Sequence, residues 1–88
     1  MKIKQGFVLR EVAGSHMVIG IGSRMQDFNG VITLSGSGAM LWSLLEKGAS
    51  EEELTAALLN EYEVDKATAD KDVSLFIEKL RSVNVLED

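Results

Sequence analysis

Apolar residues cluster in three short stretches in the first third of the chain, and glycine-containing or polar segments separate them. These apolar stretches, the third of which is rich in β-branched residues, predict β-strands over about 7–13, 16–21 and 29–34. Gly14 and Ser15 lie between the first two stretches and suit a tight hairpin in which the first central residue has a positive φ. Because short loops join all three stretches, we expect an antiparallel meander.

At Ser35 the spacing of apolar residues changes from two to about 3.6 residues, the repeat of an α-helix. Ser35 or Ser37 can cap a first helix, with Gly48 after it as a stop. Ser50 begins a capping box with Glu53 for a second helix, and Asp65 caps a third helix over about 66–82. The expected buried faces are Met40, Leu41, Leu44 and Leu45, with Trp42 flanking them; Leu54, Ala57, Leu58 and Tyr62; and Ala69, Val73, Phe76, Ile77 and Leu80.

Strands followed by helices predict an α+β domain, compatible with a winged helix-turn-helix, and the apolar tail 83–86 is expected to return to its core. A chain of 88 residues has the size of a single domain, and 45% hydrophobic residues are enough to fold it. The sequence shows neither a signal peptide nor a membrane span, so we expect a soluble, cytoplasmic protein.

Residues suited to catalysis or metal binding are scarce in this sequence. Cysteine is absent, which excludes disulfides and thiol nucleophiles, and His16 is the sole histidine. The two G-x-G sequences, 20–22 and 36–38, do not extend to a phosphate-binding motif. The three glutamates 51–53 complement a helix dipole and do not converge on one ligand. We therefore predict a protein that is not an enzyme and that has no catalytic residue, metal or cofactor.

The charge distribution argues against a nucleic-acid partner. The net charge is −5: residues 1–34 carry four basic and two acidic side chains, whereas residues 35–88 carry five basic and twelve acidic ones. The third predicted helix, which a helix-turn-helix would use for recognition, has as many acidic as basic residues between Asp65 and Arg81. We therefore expect neither nucleic-acid nor membrane binding.

The third predicted strand would form an unprotected edge of the sheet. Arg10 and Glu11 protect the first strand, but the segment from Phe28 to Ser35 has neither a charge nor a proline. Two interpretations follow. The edge is covered by the C-terminal segment or by a second copy of the chain, or it accepts an extended peptide as a fourth strand.

A set of motifs spread over nearly the whole chain is shared with one known family. The motifs are the run from Phe7 to Gly14, Asn29-Gly30 with Ile32 and Leu34, Gly38-Ala39-x-Leu41-Trp42-x-Leu44-Leu45-x-x-Gly48, Glu53-Leu54 with Leu58, Tyr62-x-Val64-Asp65, and Asp72-Val73-x-x-Phe76-Ile77-x-x-Leu80. In this combination the chain resembles the PqqD family. The resemblance is closer to generic stand-alone members than to those dedicated to pyrroloquinoline quinone synthesis, and no residue identifies the peptide.

The resemblance implies a recognition element for ribosomally synthesised, post-translationally modified peptides. Such domains are small and winged-helix-like, with three strands and three helices, and residues 1–88 would form one of them. They are not enzymes. They bind the leader segment of a precursor peptide as an added strand beside the third strand, in a cleft closed by the third helix, and deliver it to a modifying enzyme, often a radical SAM protein.

The residues expected to bind the peptide lie on the third strand and the third helix. They are Phe28, Asn29, Gly30, Val31, Ile32, Thr33 and Leu34 on the strand, and Asp72, Leu75, Phe76 and Lys79 on the helix. The sequence leaves open whether Val31 and Thr33 or Ile32 and Leu34 face the core. Leu75 lies off the main apolar face and is either a peptide contact or an isolated exposed leucine, and Lys79 could pair with an acidic leader residue.

Two other functions remain open at this point. A winged-helix module could bind a protein partner or dimerise without any peptide, and a DNA-binding regulator is the third possibility. We expect a monomer or a weak homodimer.

Overall fold

The computed structural model describes residues 1–22 and 32–87. In chain order the elements are β1 (Lys2–Ile3), β2 (Phe7–Val12), β3 (Ser15–Gly20), β4 (Ile32–Leu34), α1 (Gly36–Lys47), α2 (Glu51–Glu61), α3 (Lys66–Ser82) and β5 (Leu86–Glu87). Strands β2, β3 and β4 form a three-stranded antiparallel sheet in that spatial order. This architecture confirms the expected α+β class, with the sheet followed by three helices.

The hairpin between β2 and β3 is one residue away from its predicted position. Val12 pairs with Ser15, so the two turn residues are Ala13 and Gly14. Their φ angles are 51° and 81°, and two positive φ values are what a type I′ turn requires. The prediction placed Gly14 and Ser15 in the turn because a Gly-Ser pair suits a hairpin whose first central residue has a positive φ. It did not anticipate that Ala13 adopts a positive φ, which alanine rarely does.

A second, two-stranded sheet joins the two ends of the described chain. Strand β1 pairs with β5 in antiparallel register, Lys2 opposite Glu87 and Ile3 opposite Leu86. The Lys4 amide donates to the Val85 carbonyl at 2.9 Å, and its ammonium group donates to the side chain of Asn84 at 2.7 Å. The tail therefore returns to the core as expected, but it pairs with β1. The alternative in which the C-terminal segment covers β4 is wrong for residues 83–87.

The three helices begin at the predicted capping residues. The Ser35 hydroxyl accepts a hydrogen bond from the Gly38 amide at 3.1 Å, so Ser35 and not Ser37 caps α1. Ser50 and Glu53 form both hydrogen bonds of the capping box. The Asp65 carboxylate accepts from the Thr68 amide at 2.7 Å, and this bond lowers the pKa of Asp65. These side chains fix where each helix starts.

The core lies where the three helices pack against the inner face of the sheet. Trp42 is fully buried in it, whereas Met40 and Leu44 are only half-buried, so the prediction that Trp42 lies at the flank of the helix is wrong. Tyr62 is also not a core residue. It is 42% exposed because α2 ends at Glu61 and the backbone of Tyr62 is extended. Among the described residues, no helix is long and apolar enough to cross a membrane.

Candidate functional site: a strand edge beside a cleft

The register of the sheet determines which backbone groups point out of its β4 edge. In a two-residue hairpin the residues that flank the turn exchange both backbone hydrogen bonds, so Val12 and Ser15 form such a pair and the pattern alternates from there. The Ile21 amide donates to the Gly6 carbonyl at 2.8 Å, which fits the same alternation. It follows that His16 and Val18 direct their amides and carbonyls towards β4.

The partners of these two residues on β4 are Leu34 and Ile32. Both therefore use their backbone groups to bind β3. Thr33 lies between them, opposite Met17, and directs its N–H and C=O away from β3. Within the described part of the chain, no strand pairs with this outer side of β4. Thr33 is thus the residue whose backbone is available to an added strand.

The side chains of β4 resolve the question of which residues face the core. Ile32 and Leu34 are buried, at 8% and 6% exposure, and Thr33 points to solvent. Because successive side chains of a strand point to opposite faces, Thr33 faces outward when Ile32 and Leu34 face the core. The remaining predicted strand residues, Phe28, Asn29, Gly30 and Val31, lie outside the described residues.

A cleft of about 290 Å³ opens beside the end of β4, between the start of α1 and the middle of α3. Its lining residues are Ser35, Ser37, Gly38, Leu41, Leu58, Asp72, Leu75 and Phe76. Gly38 of α1 lies near both β4 and α3: a Cβ atom there would make ordinary van der Waals contact, 3.4 Å from the Leu34 side chain and 3.5 Å from the Phe76 ring. The cleft thus has an apolar floor and a rim that carries hydroxyl and carboxylate groups.

Three of the four predicted residues on α3 line this cleft. Phe76 is half-buried and packs against the core. Leu75 is 54% exposed, the highest exposure of any large hydrophobic side chain in the described ranges. Asp72 lies one turn before Phe76. Lys79 is exposed one turn further along the helix and is not among the lining residues. The structure therefore brings Asp72, Leu75 and Phe76 together beside β4.

The residues from α1 and α2 that line the cleft were not predicted. Ser35, Ser37 and Gly38 were interpreted only as the start of a helix, and Leu41 and Leu58 only as core residues. The close approach of Gly38 to Phe76 depends on how two helices pack, and no spacing within one helix reveals that.

An ion pair between two residues of α3 lies on the flank of that helix away from the cleft. Lys66 and Asp70 form an ion pair of 2.8 Å beside a groove between α2 and α3. The hydrogen bond between them lowers the pKa of Asp70 and raises that of Lys66. Within the described part of the chain, Asp72 has no such partner. The cleft therefore carries a carboxylate that no basic residue of the described ranges 1–22 and 32–87 pairs with.

Domains that bind extended peptides by strand addition combine a strand edge that accepts backbone hydrogen bonds with pockets for side chains, and the described residues provide both at β4. The family model for Coenzyme PQQ synthesis protein D (PqqD) matches residues 7–86. The chain belongs to the PqqD family, as the sequence motifs indicated.

Two solved structures have the same fold. The first, described as TbiB1 in complex with the TbiA(beta) leader peptide, is 29% identical, has a TM-score of 0.79 and is matched over 99% of this chain and 95% of the other. The second, a lasso peptide synthetase B1 complexed with the leader peptide, is 16% identical with a TM-score of 0.77, over 99% and 96% of the two chains. No curated protein sequence matches the chain.

Proposed function

We propose that the protein is a non-catalytic peptide chaperone that binds the leader segment of a ribosomally synthesised precursor peptide. The leader adds to β4 as a fourth strand of the sheet, beside the cleft that α3 helps to form. The single observation that carries this proposal is the outward-facing backbone of Thr33 at a sheet edge that the described C-terminal tail does not cover. Membership of the family and the leader-peptide complex of TbiB1 support the same conclusion.

The chemistry of the site fits a peptide in an extended conformation. Thr33 offers one donor and one acceptor, which set the register of the added strand. The side chains of that strand alternate, so every second one faces the cleft, where Leu75 and Phe76 provide apolar contact. Residues 28–31 also bind the leader in this proposal, and Lys79 contacts an acidic residue of the leader beyond the cleft. Backbone pairing supplies register, and the cleft supplies selectivity.

The chaperone then presents the bound leader to a modifying enzyme, such as a radical SAM protein, in the cytoplasm. In this proposal residues 1–88 act as one recognition domain. Chemistry belongs to the partner enzyme, and the function of the domain is to raise the local concentration of the precursor at that enzyme.

The test is amide exchange measured by NMR during titration with a synthetic leader. Suitable peptides are those encoded by short open reading frames beside the gene, and the TbiA(beta) leader is a heterologous probe. We expect the Thr33 amide to become protected when a peptide binds. Glu11 is the matched control, because its amide also points away from β3, at the opposite edge of the sheet.

The result also separates strand addition from the alternative functions. Protection of the Thr33 amide that grows with protein concentration in the absence of peptide would identify a second copy of the chain as the occupant. Peptide binding that leaves the Thr33 amide unprotected would contradict strand addition at β4. Binding to DNA that weakens steeply with salt would support the regulator instead.

A further inference from the structure

Asp72 is placed at the cleft in a way that bears on which peptides the site accepts. It lines the rim beside Leu75 and Phe76, and within the described part of the chain it forms no hydrogen bond or ion pair. Its neighbours in the cleft are apolar side chains and the hydroxyls of Ser35 and Ser37, which lie 3.1 Å from each other. No described cation lines the cleft to neutralise the carboxylate.

The geometry of an added strand defines what can face this carboxylate. The peptide residue opposite Thr33 has its side chain on the solvent side of the sheet, as Thr33 does, so its two neighbours face the cleft side, as Ile32 and Leu34 do. Those two side chains are about 6.7 Å apart along the strand. Asp72 precedes Phe76 by one turn of α3, a rise of about 6 Å. These spacings are similar, so a strand that runs along α3 can place one side chain at Phe76 and the next one on the same face at Asp72.

We propose that Asp72 selects leader peptides that carry a lysine or arginine two residues away from an apolar residue. The apolar side chain enters the cleft at Phe76 and Leu75, and the cationic side chain pairs with the Asp72 carboxylate at the rim. This inference rests on the proposed function, which it deepens by naming the substrate class. The ion pair between the peptide cation and Asp72 would lie beside an apolar surface that partly shields it from solvent. An acidic peptide residue at this position would be repelled by the carboxylate, so Asp72 discriminates against acidic peptides more than it adds to affinity.

The other charged groups of α3 do not provide the same selection. Asp70 is already paired with Lys66 on the opposite flank of the helix. Glu78 is exposed and does not line the cleft, which makes it a matched control: reversing its charge alters the net charge of the protein as much as reversing that of Asp72. Both positions are exposed, so neither substitution disturbs the core.

The experiment is a display selection with a library of random twelve-residue peptides on the full chain and on the variants D72N, D72K and E78K. Wild type and E78K are expected to enrich peptides with an apolar residue and a lysine or arginine two positions apart. D72N should lose the preference for the basic residue, and D72K should enrich aspartate or glutamate there. Circular dichroism verifies that each variant is folded.

Affinities of one enriched peptide measured by fluorescence anisotropy complete the test. We expect D72N to bind about three-fold more weakly and D72K about ten-fold more weakly, with most of the loss in D72K recovered when the basic residue of the peptide is changed to glutamate. Enrichment of apolar peptides without a basic preference would overturn this inference and leave the proposed function standing. If wild type enriches no peptide while remaining folded, the proposed function fails.

Discussion

Replacing Thr33 with proline tests strand addition at the one described residue whose backbone faces out of the β4 edge. Proline has no N–H, so the variant cannot donate a hydrogen bond to a peptide carbonyl. The pairing of β4 with β3 is retained, because it uses the backbone groups of Ile32 and Leu34. The side chain of Thr33 is exposed, and proline is tolerated on edge strands where its missing N–H would face solvent. We therefore expect T33P to fold.

The magnitude follows from one lost hydrogen bond and one unsatisfied acceptor. A backbone hydrogen bond contributes about 1 kcal/mol net, and leaving the peptide carbonyl unpaired in a partly dry interface costs a further 1 kcal/mol or so. Together these weaken binding by about 2 kcal/mol, which is about thirty-fold in Kd. Calorimetry or fluorescence anisotropy with a synthetic leader measures the change, and thermal unfolding verifies that the variant is folded.

Two matched variants make the result specific. T33V keeps the N–H and removes only an exposed hydroxyl, so it should bind the leader like wild type. E11P introduces the same kind of change at the opposite edge, where the amide also points away from β3, and should bind normally as well. A folded T33P with wild-type affinity would refute the reasoning, as would an equal loss in E11P. I32P is unsuitable as a test, because Ile32 is buried and donates to β3.

Two further predictions concern α3. Leu75→Ala should change the free energy of unfolding by less than about 0.5 kcal/mol, because the side chain is 54% exposed. The same substitution should weaken leader binding about five-fold, because it removes apolar contact with the peptide. Leu59→Ala, at the groove on the other flank of α3, is the control for both measurements and should leave binding unchanged. The pKa of Asp65 is lowered because its carboxylate accepts a hydrogen bond from the Thr68 amide, so the stabilisation it provides is present above the ordinary pKa of aspartate and is lost as the pH falls through the lowered value. Acid unfolding followed by circular dichroism should therefore show a weaker pH dependence below about pH 4 in Asp65→Asn than in wild type. Identical profiles would contradict this role of Asp65.

Local signals in the sequence were enough for the helices and for most of the sheet. Ser50 with Glu53 and Asp65 specify helix starts through bonds to residues three positions away, so the information lies within one turn. The bounds of α3 agree with its predicted range. The hairpin turn was misplaced by one residue because Ala13 adopts a conformation that its residue type disfavours.

The features missed from the sequence depend on contacts between distant segments. Strands β1 and β5 have two residues each, too few to show a period, and they pair across almost the whole length of the chain. The cleft is lined by residues from the start of α1, from α2 and from α3, so it exists only once these distant segments pack together. The lack of edge protection could be predicted, since the segment from Phe28 to Ser35 has neither a charge nor a proline, but the assignment of Thr33 as the outward-facing residue needed the register.

The pairing of β1 with β5 also matters for how the domain can be linked to other proteins. Because residues 2–3 and 86–87 lie side by side, a host polypeptide could enter and leave the domain at nearly the same point. The β1–β5 pair forms a sheet of its own, separate from the sheet that contains β4, so connections made at β1 and β5 would not run along β4. The fold is therefore suited to insertion as a cassette into a surface loop of an enzyme, with short connectors at both ends and the β4 edge unobstructed by the described termini.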